Sequence, residues 1–592
     1  MSENWLLINK GIADANKLIK ELNISQFTAR LLVNRDITGV KQAEKFLYGE
    51  IDDLYDGHLM KDMDKAVAMI KLAIENNKKI AIYGDYDCDG VNSTVILNNA
   101  LKNCNANYDY YIPNREDEGY GMNSNRIKKL KEEGYELILT CDNGIAAFEQ
   151  VDLAKALGMD VIITDHHDIP IFKEEDGTFI ERFPNADAVV NPKRGDCQYP
   201  FKKLCGAGVA FKLVQCLYEA LGIPKNKSYD LLEFAAIATV CDVVDLIDEN
   251  RILVKEGLKR INNTGNIGLK ALMQQTNLED KVVGAYHLGF IIGPCINATG
   301  RLETADLSVE LLITNEKDRA SELAKELYEL NQRRQEMTSE SVELIEDQIS
   351  RNNMEKDKVL VVYNDTIHES IAGIVAGRIR EKYNVPALVL TRGKEMAKGS
   401  GRSIDEYNMF EELSNCKELL DKFGGHPMAA GLSVKEENIP KLREKLLQNC
   451  NLKDEDIVPK VRIDLRLPLG YINEQVVDEL EKLEPFGKGN STPLFGEKSV
   501  ETLRIWAIGK EKNILKFRFK MLGSNYSMDG ICFNKYEEFK EQFIDRYGEN
   551  EFLSILDTSF CSFKMDFLFY PSINEYNGNR SIQAIIKSIR LC

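Results

Sequence analysis

No stretch of this chain comes near the roughly 18 consecutive apolar residues that cross a bilayer. The first ten residues, M-S-E-N-W-L-L-I-N-K, lack the basic start and long apolar core of a signal peptide. The thirteen cysteines are scattered and odd in number, with no C-x-x-C pair among them. That argues against a disulfide framework and fits reduced thiols in a cytoplasm. Positive charge is also in deficit, with a formal net charge of −18, which argues against indiscriminate nucleic-acid binding. A local basic groove stays open, because phosphate contact depends on placed Lys and Arg rather than on the sum. Histidine is scarce: there are six, and two of them are adjacent, His166 and His167. At 592 residues the chain is long enough for several domains of about 100–200 residues.

What is present begins with β-branched runs that end in chemistry. Lys79 to Tyr83 leads into G-D-Y-D-C-D-G, with Asp85, Asp87 and Asp89. Leu137 to Thr140 leads into C-D-N-G, with Asp142, and Asp160 to Thr164 leads into D-H-H, Asp165 to His167. Helical segments Met63–Glu75, Val91–Leu101, Asn125–Glu133 and Ala146–Leu157 alternate with these runs and with Tyr108–Ile112; a further short strand is Ala188–Asn191. Strands alternating with helices mean βαβ units and a parallel sheet, and nearly all-apolar strands mean that both faces are covered. An open parallel sheet places ligands at the carboxyl ends of its strands, where these acids and imidazoles fall.

Elsewhere, residues 1–50 read as short helices capping the first domain, and residues 205–315 are mostly helical. Asp242 and Asp245 close one helix of small residues, and I-G-P-C-I-N-A-T-G-R-L-E-T-A contains Asn297, Gly300 and Arg301. Residues 316–352 hold no Gly or Pro, and Ala320, Leu323, Leu327 and Leu330 repeat at helical spacing. Such a helix spans on the order of 55 Å, a spacer between two lobes. Its run Asn331 to Gln335 reads either as a solvated face or as a substrate contact. A second α/β unit covers about 356–450, with strands Val359–Tyr363 and Ala387–Leu390, helix Ile371–Lys382, and two glycine-bearing segments, G-S-G-R-S and F-G-G-H-P-M-A-A-G. From about 455 onward, strand-like runs such as Ile514–Phe519, Asp566–Tyr570 and Ile582–Ile589 suggest a small barrel of OB type, with Asn577-Gly578 as a hairpin turn.

The D-x-D-x-D-G spacing also opens a calcium loop, but that loop needs Glu at its twelfth position, where Ile96 stands, and a helix before it rather than a strand. Carboxylates with imidazoles and no thiolate motif suit manganese or magnesium better than zinc. Four or more carboxylates exceed what one ion needs, so two ions about 3.5–4 Å apart with a bridging carboxylate are expected, and phosphoester or phosphoanhydride hydrolysis with them. Residue types alone do not choose among pyrophosphate, a dinucleotide and a nucleic acid.

The motifs D-Y-D-C-D-G, C-D-N-G and D-H-H, in this order, resemble the DHH phosphoesterase superfamily. Within it, G-Y-G-M, G-A-G-V-A, G-P-C-I-N-A-T-G-R-L, H-E-S-I-A-G-I-V-A-G-R-I, G-S-G-R-S and G-G-H-P-M-A-A-G resemble the RecJ family, from about residue 60 to the C-terminus. The resemblance implies an α/β protein: a helical cap (1–50), a DHH domain (51–315), a connecting helix (316–352), a DHH-associated domain (353–452) and an OB fold (453–592). It implies a 5′→3′ exonuclease of single-stranded DNA, dependent on Mn2+ or Mg2+, that releases 5′-mononucleotides in repair and recombination. Carried over, the catalytic metal ligands are Asp87, Asp89, Asp142, His166, His167 and Asp242, with Asp142 the bridge and Asp85 and Asp165 supporting acids. Arg115, Ser400, Arg402 and His426 are candidates for a terminal-phosphate pocket, and Arg301 and Arg334 for the strand's backbone. A monomer is expected; a single-strand-binding protein and a helicase are candidate partners, and no membrane is involved. Two positions depart from the family pattern: Tyr83 stands where His is common, and Cys295 where Arg is usual. The competing readings are a DHH-family phosphodiesterase acting on short oligonucleotides or cyclic dinucleotides, and a non-catalytic binding protein with a relic site.

Overall fold

The computed structural model describes residues 3–115, 118–119, 121–174, 176–509, 513–520, 527–576 and 579–592. The chain forms two compact units, residues 54–244 with 253–459, and residues 4–53 with 245–252 and 460–592.

In the first unit the β-branched runs form five parallel strands, in the spatial order Tyr108–Tyr111, Ile80–Tyr83, Leu137–Thr140, Asp160–Thr164, Ala188–Val190. Tyr108–Tyr111, the second of these five in sequence, lies outside Ile80–Tyr83, the first, and every later one is added on the other side of Ile80–Tyr83. The direction of growth therefore reverses at Ile80–Tyr83, and a crevice opens at the carboxyl ends of this strand and Leu137–Thr140. These two strands are buried at every residue, as their lack of polar alternation requires. Helix Cys88–Asn103 leaves the crevice and packs against Gly206–Ala220 and Leu232–Cys241.

The spacer is one helix, Lys317–Arg351, of 35 residues, about 50 Å long at about 1.5 Å per residue. Its first half packs on helices Ile267–Gln275 and Gly293–Leu302. Its last turns insert Ile345 and Ile349 into a core with Leu360, Val362 and Val375. That second lobe carries a five-stranded sheet, ordered Leu420–His426, Ala429–Val434, Ala397–Arg402, Ala387–Arg392, Leu360–Tyr363. Both glycine-bearing segments are thus strands, antiparallel to their neighbours. Gly399 faces Leu390 and Leu432, and a Cβ there would lie 3.1 Å from each, so the glycine permits close packing within the sheet.

In the second unit, Phe495–Ile508, Ile514–Lys520, Ser527–Phe533, Asn579–Leu591 and Phe560–Tyr576 pair in that order, and the last returns to the first. The barrel is closed, with Ser527–Phe533 and Asn579–Leu591 parallel, which is the OB topology. The expected turn at Asn577-Gly578 lies outside the described residues. One expectation is corrected. Residues 4–53, expected as a cap on the first domain, are largely helical and share a core with the barrel. Strand Asn4–Leu7 pairs in parallel with Lys460–Ile463, Phe27 stacks on Phe495 with centroids 5.5 Å apart, and Arg35 forms a buried pair with Asp464 at 3.1 Å. Helical periodicity identified an apolar face but not the distant segment that covers it.

Candidate metal centre and phosphate cavity

The crevice is built by helix ends and tight turns. Asp87 caps helix Cys88–Asn103, its Oδ1 accepting from the N–H groups of Asp89 at 2.9 Å and Gly90 at 3.0 Å. Asn297 holds the same turn from outside, its Oδ1 accepting from Cys88 N–H at 2.9 Å. The buried Asp89 carboxylate meets the start of helix Gly206–Ala220, accepting from Gly206 N–H at 2.6 Å and Ala207 N–H at 2.8 Å. Backbone donors at a helix N-terminus favour negative charge. Gly206 also lies against Asp142: a Cβ there would fall 2.6 Å from Asp142 Cβ and 2.8 Å from its Oδ1. Asp142 itself adopts a left-handed backbone, φ 62°, which a short polar side chain tolerates.

The D-H-H turn is organised by its acid. Asp165 Oδ2 accepts from Ile145 N–H at 2.9 Å; its Oδ1 accepts from His166 N–H at 2.7 Å and His167 N–H at 3.0 Å, and lies 2.8 Å from His167 Nδ1. Burial pushes the Asp165 carboxyl up, but the hydrogen bond and charge of His167 outweigh it and hold it at about 2. Burial pulls His167 down, yet Asp165 raises it further, to about 9. His166 differs: burial holds it below its ordinary value, and its Nε2 lies 3.0 Å from Asp142 Oδ1, 3.6 Å from Asp89 Oδ2 and 3.8 Å from Asp242 Oδ2.

Three ligand sets result, each with its atoms within 4.8 Å of one another: Asp142 with His166 and His167; Asp89 with His166 and Asp242; and Asp85 with Asp87 and Asp142. All six expected ligands, and Asp85, thus meet in one place. Asp142 belongs to two sets. Tyr83 turns its hydroxyl to accept from Asn123 N–H at 3.0 Å, and the third oxygen beside Asp87 and Asp142 is that of Asp85. Burial, together with the neighbouring carboxylates, raises Asp142 and Asp85 well above the ordinary range and Asp242 to about 8. Asp85 Oδ1 is buried without a hydrogen-bond partner among the described residues. Buried carboxylates crowded against one another beside two imidazoles form a donor set that divalent cations fit.

Beside these acids, Arg115, Arg301, Ser400 and Arg402 line one cavity of about 470 Å3. Arg301 donates to Ser370 O at 2.7 Å, tying helix Gly293–Leu302 to the second lobe. Arg402 donates to Ser400 Oγ at 3.1 Å and Gly401 O at 2.8 Å. Burial first, then the charges of Arg115 and Arg334, lower Arg301 to about 10; the cavity concentrates positive charge, and among the described residues no carboxylate is clamped on Arg301 or Arg402. Of the residues expected in the pocket, His426 is not in its lining and is exposed at a strand end; Arg334, expected on the strand's backbone, donates to Asn331 Oδ1 at 2.9 Å, beside the buried Cys295. Lys398 and Lys422 do line it and were not singled out in the sequence. Strand alternation is the signal for Lys398, which shares one face of Ala397–Arg402 with Ser400 and Arg402 at period two; Lys422 lies on the separate strand Leu420–His426.

The same division appears in family models. The DHH family N-terminal domain matches residues 79–239, the DHHA1 domain 356–451 and the RecJ OB domain 463–588. The single-stranded-DNA-specific exonuclease RecJ of Bacillus subtilis is 37% identical over 574 residues, 96% of this chain and 68% of its own. The crystal structure of Thermus thermophilus RecJ in complex with Mn2+ matches with a TM-score of 0.80 at 27% identity, over 99% of this chain and 79% of that one. Its complex with Mg2+ matches with a TM-score of 0.74 at 26% identity, over 99% and 78%. With the acid and imidazole cluster, the arginine-lined cavity and the closed barrel all on one chain, the protein belongs to the RecJ family.

Proposed function

We propose that the chain is a metal-dependent exonuclease that degrades single-stranded DNA from its 5′ end and releases 5′-mononucleotides. The observation that carries this reading is the position of Asp142, common to two ligand sets, next to a cavity whose arginines and serine match a terminal phosphate. Asp85, Asp87 and Asp142 would hold one ion, and Asp89, His166, His167 and Asp242 the other, with Asp142 common to both groups. Asp85, expected as a supporting acid, takes the place of the imidazole that Tyr83 does not provide. Asp165 fixes the Nδ1 of His167 and so presents its Nε2 to the site. Manganese and magnesium, the ions of the two Thermus complexes, suit oxygen and imidazole donors. Such a pair supplies hydroxide near neutral pH and neutralises phosphoryl oxygen charge.

The chain's own residues do the rest. Arg402, Ser400 and Arg115 hold the 5′-phosphate and set which bond meets the acids, so that mononucleotides leave one at a time. Arg301 and Arg334 contact the strand's backbone, Arg334 bringing a cation to the position where Cys295 replaces the usual arginine. The exposed His426 contacts the substrate at the rim, and the barrel binds single strands through stacking and a charged groove. Work in cytoplasmic repair and recombination fits this substrate, with a single-strand-binding protein and a helicase as partners of a monomer. No helix among the described residues is long and apolar enough to cross a membrane.

Digestion with Mn2+ of 5′-phosphorylated single-stranded DNA carrying a 3′-end label tests the reading. Mononucleotides appear first from the 5′ end, and duplex is spared. Release from the 3′ end first overturns it, and equal turnover of dinucleotides and long strands supports an oligonucleotide phosphodiesterase instead.

A further inference from the structure

Away from the crevice, a second set of side chains converges in the manner of metal ligands. We infer that Asp56, His58, Cys216 and Glu219 form a separate, structural site for a zinc-like divalent cation. Ligand atoms of Asp56, His58 and Cys216 lie within 4.8 Å of one another. They come from two elements, the turn Gly57–Leu59 with its cap Asp56, and helix Gly206–Ala220. Cys216 and Glu219 are three residues apart on that helix and so share a face. The thiol is aimed at the turn: a Cβ on Gly57 would lie 2.7 Å from Cys216 Sγ. Cys216 is 2% exposed, and among the described residues no hydrogen bond engages its thiol.

The imidazole is held as a ligand would be. His58 Nδ1 is hydrogen-bonded to Asp64, which leaves Nε2, 3.6 Å from Glu219 Oε2. A carboxylate on one ring nitrogen that orients the other is the usual support of a metal-bound histidine. Asp56 uses Oδ1 to accept from His58 N–H at 3.0 Å, and its second oxygen remains for an ion. A hydrogen-bonded surface turn explains Asp56, His58 and Asp64, but not a buried thiol pointed into it with a second carboxylate on the same helix face. Thiolate, imidazole and two carboxylates make a tetrahedral zinc set, whereas manganese and magnesium favour oxygen-rich donors. This site therefore selects an ion other than those proposed for the crevice. Around zinc the donors stand about 3.5 Å apart, and the exposed Asp56 and Glu219 side chains swing in to close the set. The ion would clamp residues 56–58 to the far end of the helix whose first turn holds Asp89, about 15 Å from that turn at about 1.5 Å per residue.

The test uses the full chain stripped by chelator, with Co2+ as a spectroscopic substitute for Zn2+. A thiolate-to-cobalt charge-transfer band appears in the wild-type protein and in Asp142→Asn, and disappears in Cys216→Ser. In parallel, Zn2+ raises the Tm of wild type and Asp142→Asn but not of Cys216→Ser or of the half-buried surface variant His58→Gln. No thiolate band in the wild-type protein, a band that survives Cys216→Ser, or equal zinc stabilisation of His58→Gln overturns the proposal. The Asp142→Asn arm separates this outcome from any failure of the crevice, and Cys216→Ser from the cysteines that lie near the crevice acids.

Discussion

Asp165 shows how one residue governs the crevice without facing it. Four contacts converge on its carboxylate; they fix the His167 ring and the backbone turn that carries both histidines. Asp165→Asn keeps the shape but removes the charge that orients and protonates His167. Loss of such a supporting acid costs about 10–100-fold in metal affinity, measured by Mn2+ titration of the folded variant; unchanged affinity would mean that His167 plays no part at the ions. The neighbouring acids predict how the metal-free protein responds to pH. Asp242 is raised to about 8 from 3.8 and His167 to about 9 from 6.5. A group bound more tightly to its proton in the folded state stabilises at low pH and loses that contribution as pH rises through its folded value. His166, held down by burial, acts in the opposite sense, but only around and below 6.5. From about pH 7 to 9 the chelated protein therefore loses stability, and Mn2+ removes the slope by neutralising the same carboxylates. Calorimetry in chelator across that range reads it directly. A Tm that is flat or rising in chelator would show that these acids do not crowd one another.

At the scale of elements, the packing of helix Gly206–Ala220 is the tightest constraint on the site. Gly206→Ala drives a methyl to within 2.8 Å of Asp142 Oδ1 and disturbs the N–H groups that hold Asp89. Mn2+ affinity and exonuclease rate fall together by more than tenfold, while the far-ultraviolet circular dichroism is unchanged; retained activity would put Asp142 elsewhere. How far the elements were legible follows from what each depends on. Strands Ile80–Tyr83, Leu137–Thr140 and Asp160–Thr164 are buried on both faces, so apolar runs alone reveal them, and the acids that follow mark their carboxyl ends. Helix Lys317–Arg351 shows itself through periodicity and the lack of Gly and Pro. The segment G-S-G-R-S is harder, because glycine disguises a strand, and with it the alternation that places Lys398 on the face of Ser400 and Arg402. The cradle of Gly206 and Ala207 N–H groups on Asp89 joins residues more than a hundred positions apart, and no local pattern encodes it. Likewise, no local pattern shows that the hydroxyl of Tyr83 turns to Asn123 while Asp85 meets Asp87 and Asp142.

For the molecule as a whole, the chain ends meet in one core. Phe27, Leu31, Leu32 and Phe46 are buried with Phe495, Phe517 and Phe567, while the intervening residues fold largely by themselves. The entropic cost of closing so long a loop grows only slowly with length, of the order of 0.6 kcal/mol per doubling, so a well-packed interface outweighs it. Phe27 is 6% exposed and stacks on Phe495. Phe27→Ala removes that ring and leaves a cavity, at a cost of about 3–5 kcal/mol for a buried phenylalanine. The loss falls on the unit that owns the core. Hydrogen exchange should therefore accelerate in strand Phe495–Ile508 and in helix Gln26–Asn34, and stay slow in Ile80–Tyr83 of the parallel sheet. Mn2+-dependent cleavage of short strands, which needs only the crevice, persists at temperatures where the barrel has opened, while degradation of long strands fails first. If protection at Ile80–Tyr83 drops together with that at Phe495–Ile508, the N-terminal helices support the catalytic sheet after all, and the two units do not unfold separately.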